Sequence, residues 1–169
     1  MAADSPDAPG VFLRHLQTHP CISLRTRATS PFLIVCDAVI NVRDEQLIST
    51  CNALCTISIG AGWDWSIPRI VCHEKWIRHE TNWHTFLAGN LCIEFPQRWR
   101  DELASAQLLL DPASFAQFAT EYFMSSAIWL LVRHRFGFEN GIKIWPDQWP
   151  GWPHGDNAKT EYAKRRHAA

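Results

Sequence analysis

An α+β domain is what this sequence predicts, on three observations. Its first half carries alternating and β-branched apolar runs that read as strands. Its second half carries one long stretch with apolar residues every three or four positions, which reads as a helix. Its 169 residues suffice for one domain with a sizeable core.

The elements follow in order. Residues 1–10, MAADSPDAPG, are acidic and polar and read as a flexible N-terminus. From Val11, VFLRHLQTHP puts Phe12, Leu13 and Leu16 on one side and closes on Pro20, which predicts a short helix. CISLRT alternates with period two, and FLIVCDAVINV is a β-branched apolar run, so both predict strands. The stretch DEQLISTCNALCTISIG at 44–60 fits two patterns. Leu47, Ile48, Cys51, Leu54 and Cys55 keep helical spacing after an Asp44 cap, while CTISI alternates like a strand. The expectation is a helix or irregular turn that enters a strand near 55–60.

Glycines and Pro68 punctuate GAGWDWSIPRIVC, leaving RIVC as a short strand. Residues 73–91 hold His73, His79 and His84 without clean periodicity and read as a long structured loop. Asp111 and Pro112 form a helix start, with Asp as N-cap and Pro in the first helical position. Phe115, Phe118, Ala119, Tyr122, Phe123, Ser126 and Leu130 then predict a helix to about Phe136, stopped by Gly137. In the segment 145–153, Pro146, Pro150 and Pro153 exclude regular structure, and Trp145, Trp149 and Trp152 are expected to strap it across the body. One domain over 11–158 and a polar C-terminal tail over 159–169 complete the expected organisation.

Composition narrows the function. The chain is 47% hydrophobic and 20% charged, with a net charge near −1, so no basic excess attracts a phosphate backbone and no nucleic-acid partner is expected. The longest apolar stretch, YFMSSAIWLLV at 122–132, is well short of the roughly 20 residues of a membrane span. The N-terminus has neither the basic nor the apolar region of a secretory signal. The expectation is a soluble cytoplasmic protein without a membrane partner. Its six cysteines, Cys21, Cys36, Cys51, Cys55, Cys72 and Cys92, are then free thiols rather than a disulfide framework. Nine tryptophans point to a heavily packed interior or a sticky groove, and the count alone does not choose.

Cys92 stands apart from the other five, which are assigned to packing. It follows Gly89-Asn90, a turn signal that can set the next residues at the edge of a groove. Asn82 and His84 lie upstream in the same loop and can both donate hydrogen bonds. A reactive cysteine needs access, a favourable electrostatic setting and a means of stabilising an oxyanion. By residue type alone the bland reading leads: Leu91-Cys92-Ile93 is three residues of a buried strand, and His84 is an ordinary loop histidine.

The ordered context tips the balance. Residues 60–100 resemble the ubiquitin-conjugating enzymes, particularly their divergent bacterial members. Pro68 to Val71 is similar to that family's proline-led strand. Gly89-Asn90-Leu91-Cys92-Ile93 is similar to its Gly-x-(Leu/Ile)-Cys-(Leu/Ile) turn, and Trp99 to its downstream tryptophan. The remaining chain agrees only in the order of its elements. The family's motif has His ten residues before the cysteine and Asn eight before it. Here Asn82 and His84 hold those places in exchanged order, and Trp63 and Trp65 flank the place of the usual Tyr-Pro.

The resemblance implies a fold of short N-terminal helix, antiparallel strand meander, active-site loop and C-terminal helix. It implies that Cys92 carries a protein C-terminus as a thioester and passes it to an amine, giving an isopeptide bond. His84 then stabilises the oxyanion or orients the loop, with Asn82 as a supporting donor. No nucleotide, metal or organic cofactor is needed at this step. The Trp-Pro segment looks like that of bacterial forms acting in antiphage defence. In short CBASS operons such a protein joins the C-terminus of a cGAS-like nucleotidyltransferase to targets. The implied partners are a protein donor with a free C-terminus, such as that nucleotidyltransferase, and an activating enzyme.

Three other readings stay open. One is a non-catalytic protein-binding module on the same fold. Another is a metal site drawn from Cys72, His73, His79, His84 and Cys92, whose spacings match no common zinc pattern. The third is a Cys-His hydrolase, for which no third residue to orient the histidine stands out.

Overall fold

A computed structural model describes residues 8–29, 33–44, 49–60, 68–79, 83–86, 89–93 and 97–143. Helix α1, Ala8–Thr18, leads into a meander of four strands: β1 (Ile22–Thr29), β2 (Leu33–Asp44), β3 (Ser49–Gly60) and β4 (Arg69–Cys72). Two further helices follow, α2 (Gln97–Leu109) and α3 (Pro112–Glu139). The sheet is antiparallel throughout, in the order β1-β2-β3-β4, so each strand pairs with its neighbour in sequence.

Alternation sorts the two faces of this sheet. Ile34, Cys36, Ala38 and Ile40 of β2 are buried, as are Cys51, Ala53, Cys55, Ile57 and Ile59 of β3 and Ile70 and Cys72 of β4. All of these but Ile34 and Cys36 form one core with Phe12 and Leu16 of α1 and with Phe115, Phe123, Met124, Ala127, Leu130 and Leu131 of α3. The helices thus cover one face, the two-layer solution for an amphipathic sheet. Each large aliphatic side chain buried there contributes about 1.5–3 kcal/mol relative to exposure.

Three sequence expectations change. The strand expected near 55–60 already begins at Ser49, so Cys51, Leu54 and Cys55 lie in strand rather than helix; residues 45–48 lie outside the description. The helical spacing counted Leu54 as inward, but Leu54 is 39% exposed, and the buried set recurs every second residue. Helix α1 begins at Ala8, so Ala8, Pro9 and Gly10 belong to it rather than to a flexible lead-in. Helix α2 was not anticipated; Leu108 and Leu109, at 88% and 84% exposure, leave it without an inward apolar stripe to read. Among the described residues no helix is long and apolar enough to cross a membrane.

Helix α3 starts as its sequence predicts. Asp111 is the N-cap, its Oδ1 accepting from the Ala113 and Ser114 amides at 3.1 Å each, with Pro112 in the first turn. The helix runs past Gly137 to Glu139 and closes on Asn140, with Gly141 taking the left-handed backbone (φ 65°). The Ser114 hydroxyl, followed by the Ser114 and Ala113 amides, holds the Asp111 carboxyl below its ordinary 3.8. A depressed folded pKa means stability that is fully present above 3.8 and is lost as pH falls through the lower folded value. Asp111→Ala is therefore expected to lower the melting temperature at neutral pH, and the gap to wild type should close on acidification below 3.8. Thermal melts across pH check this; a gap that persists in acid would assign the loss to something other than the carboxylate cap.

Candidate functional site

The chain leaves β4 at Cys72 and returns to it at Asn90, and the loop between is tied at both ends. On the outer side, the Arg78 amide donates to His134 Nδ1 at 3.3 Å, and the Arg78 guanidinium donates to the Lys143 carbonyl at 2.8 Å. Trp83 Nε1 donates to the same carbonyl at 3.1 Å. The Arg78 guanidinium lies 4.4 Å from the Trp83 ring centre, and Trp83 packs on His134 with ring centroids 5.5 Å apart. Thr85 Oγ1 donates to the Arg78 carbonyl at 2.6 Å. The end of α3 thereby fixes the entry to the loop, and Trp83 is wholly buried.

The inner end is a small hairpin. The Phe86 amide donates to the Asn90 carbonyl at 2.9 Å and the Gly89 amide to the Phe86 carbonyl at 2.8 Å. Gly89 takes φ 85°, where glycine carries no Cβ penalty, so the Gly-Asn turn signal has a backbone cause. Thr85 bridges Leu91, and Asn90 bridges Val71. The Leu91 amide donates to the Ile70 carbonyl at 2.8 Å and the Cys92 amide to the His84 carbonyl at 2.6 Å. Cys92 is thus held by His84, and its neighbours Asn90 and Leu91 by β4.

Leu91 and Ile93 are 2% and 1% exposed, whereas Cys92 between them is only partly buried. The flanking residues anchor the segment in the core, and alternation along an extended chain sets residue 92 on the opposite side from them. Cys36, Cys51, Cys55 and Cys72 are buried, while Cys21, like Cys92, is partly buried.

His84 touches this segment through its backbone. Its side chain is buried at 1% exposure, and its φ of 58° lies in the left-handed region that non-glycine residues seldom adopt. The carbonyl that accepts from Cys92 belongs to this constrained residue, so His84 fixes where Cys92 sits. A left-handed alanine is costlier than glycine, which adopts this region freely. His84→Ala is therefore expected to be about 1 kcal/mol less stable than His84→Gly, since both lose the ring and neither buries a polar group in its place. Urea unfolding of the two variants measures the difference, and equal stabilities would mean the left-handed backbone is not imposed by the fold.

Asn82, Trp63, Trp65 and the segment 145–153 lie outside the described residues. Trp99 falls in α2. Among the described residues no three His, Cys, Asp or Glu side chains come together as a metal site, so Cys72, His73, His79, His84 and Cys92 do not converge on one.

A second feature went unread in the sequence. The open face of the sheet carries a groove of about 540 Å³ lined by Arg25, Thr26, Asp37, Val39, Leu54, Thr56 and His73. Asp37 accepts from Thr26 Oγ1 at 2.9 Å and from Thr56 Oγ1 at 2.7 Å, and Thr56 Oγ1 lies 2.7 Å from His73 Nε2. The single Thr56 proton goes to the carboxylate, so His73 Nε2 carries a hydrogen and donates to Thr56. The Thr56 and Thr26 hydroxyls, assisted by His73, hold the Asp37 carboxyl below its ordinary value. Strand register would have found this set, since Asp37 pairs with both Thr26 and Thr56. Neither Cys92 nor His84 lines the groove.

Comparison of the chain with protein-family models, with curated proteins and with solved structures finds no match.

Proposed function

We propose that the protein is a cysteine-dependent protein-conjugating transferase with a ubiquitin-conjugating-enzyme-like fold, and that Cys92 is its acyl carrier. The observation that carries this reading is the setting of Cys92: a partly buried cysteine between two buried anchors, its own amide held by His84 and its neighbour's by Ile70. The order of helix, four-strand antiparallel meander, loop and C-terminal helix supports it.

The chemistry has two steps. The Cys92 thiolate attacks the carbonyl carbon of a donor C-terminus that an activating enzyme supplies in activated form, and the activating group leaves. An amine then attacks the thioester, the Cys92 thiolate departs, and an amide bond to the acceptor remains. A thiolate leaves readily, so the second step rests on positioning and oxyanion stabilisation more than on strong acid–base catalysis. His84 serves as a positioning residue through its carbonyl, and Asn82 is the supporting donor. A cGAS-like nucleotidyltransferase in bacterial antiphage defence is the donor that the resemblance favours.

Cys92→Ser tests the reading. A serine oxygen accepts the same acyl group but forms an oxyester, which resists thiol reductant. A wild-type adduct cleaved by reductant and a Cys92→Ser adduct that survives it are expected; adducts of equal sensitivity, or none on either, count against it. The groove around Asp37 favours a second reading, a non-catalytic protein-binding module on the same fold. An unmodified chain whose Cys92 reacts slowly with alkylating reagents would favour that module.

A further inference from the structure

Away from Cys92, two other cysteines face each other across the sheet. Cys55 of β3 is paired in register with Cys72 of β4. The neighbouring pair is hydrogen-bonded, since the His73 amide donates to the Leu54 carbonyl at 2.9 Å. Hydrogen-bonded and non-hydrogen-bonded pairs alternate along an antiparallel ladder, which makes Cys55 and Cys72 a non-hydrogen-bonded pair. In such pairs the Cα atoms approach to about 4.5 Å and the side chains come closest. That separation falls within the range of about 4.4–6.8 Å that a disulfide spans. Both side chains point to the same buried face, at 0% and 2% exposure.

Hydrogen bonding from the Cys55 thiol, then from the Glu74 amide, pushes the Cys72 thiol down, and the same interaction together with burial pushes the Cys55 thiol up. Cys51 supplies a contrast on the same strand face. Burial pushes its thiol up to about 12, and its register partner on β2 is Val42. The pairing with β4 begins at Cys55, so no cysteine stands opposite Cys51.

We propose that Cys55 and Cys72 form a redox modification site, a dithiol that a peroxide converts into a disulfide joining β3 to β4. The site is independent of the role of Cys92. The Cys72 thiolate attacks one oxygen of hydrogen peroxide; the O–O bond breaks, leaving a sulfenic acid on Cys72 and a hydroxide that takes up a proton. The Cys55 sulfur then attacks the Cys72 sulfur; the S–S bond forms, the S–O bond breaks, and the departing hydroxide leaves as water with the Cys55 proton. Two thiols lose two electrons in all, and one peroxide becomes two waters. Access comes by local opening: β4 is a short four-residue strand, last in the sheet order, bridged on its outer side by Asn90 and bonded there by the Leu91 amide. The bond has a structural reach beyond its own strands, because the Cys92 segment hangs on β4 through the Leu91 amide and the Val71–Asn90 bridge.

Peptide mapping of the full chain tests the proposal. The protein is treated with hydrogen peroxide, alkylated, digested without reduction and analysed by mass spectrometry. A peptide pair joined through Cys55 and Cys72 is expected, with both thiols lost to alkylation, full recovery after reductant and native circular dichroism retained. Cys51 should remain alkylatable upon unfolding in both states, and Cys72→Ala should lose the linked pair. Recovery of Cys55 and Cys72 as unlinked thiols while Cys92 is oxidised would overturn the proposal. A dominant bond to another cysteine, or a linked form that has lost its native circular dichroism, would overturn it as well. The wild-type map decides the matter even if Cys72→Ala does not fold.

Discussion

Gly137→Ala is expected to destabilise the protein by about 1–3 kcal/mol, the usual range for an overpacked core. The ordinary expectation has the opposite sign. In a helix interior Ala is favoured over Gly by roughly 0.5–1 kcal/mol, and Gly137 lies inside α3. Space reverses the sign: a Cβ at Gly137 would stand 2.6 Å from Cη2 and 2.7 Å from Cζ3 of Trp83. Trp83 cannot retreat cheaply, because it is fully buried, hydrogen-bonded to the Lys143 carbonyl and stacked beneath Arg78. The disturbance should reach the adjacent His84 and hence the segment that holds Cys92. Urea denaturation measures it, and a variant as stable as wild type would mean that the Trp83 anchor has slack.

The second large effect is on chemistry rather than stability. Cys92→Ala is expected to abolish conjugate formation while shifting the melting temperature little. In the proposed mechanism the Cys92 sulfur forms the bond to the acyl group, so no other side chain substitutes for it. The packing loss is small because Cys92 is only partly buried, and Leu91 and Ile93 keep the segment anchored without it. The backbone bond from residue 92 to the His84 carbonyl is also available to alanine. A Cys92→Ala protein that still forms the conjugate would end the acyl-carrier reading. One that is unfolded would show that the side chain is structural.

Where local pattern determines structure, the sequence was readable. β2 and β4 follow from β-branched apolar runs, the start of α3 from Asp111-Pro112, and the Gly89-Asn90 turn from a residue that tolerates positive φ. Misreadings arose where a pattern served two periods or a residue answered to a distant partner. Cys51 and Cys55 are spaced both as a helix face and as a strand face, and only packing under α3 selected the strand. Gly137 looked like a helix stop, yet it is there to admit Trp83, more than fifty residues away in sequence. The left-handed backbone of His84 carries no sequence signal, since glycine or asparagine is the usual occupant. For Cys92, residue type argued for burial and context argued for exposure. The burial of Leu91 and Ile93 with Cys92 only partly buried between them lies between the two.

The most direct test of the central claim is intact-mass spectrometry of the protein co-expressed with the proposed nucleotidyltransferase donor and an activating enzyme, with and without a thiol reductant. The account predicts a mass increase equal to a partner protein less one water, removed by reductant and absent from Cys92→Ala. An unmodified mass in every sample, with Cys92 slow to alkylate in the folded chain, would contradict it.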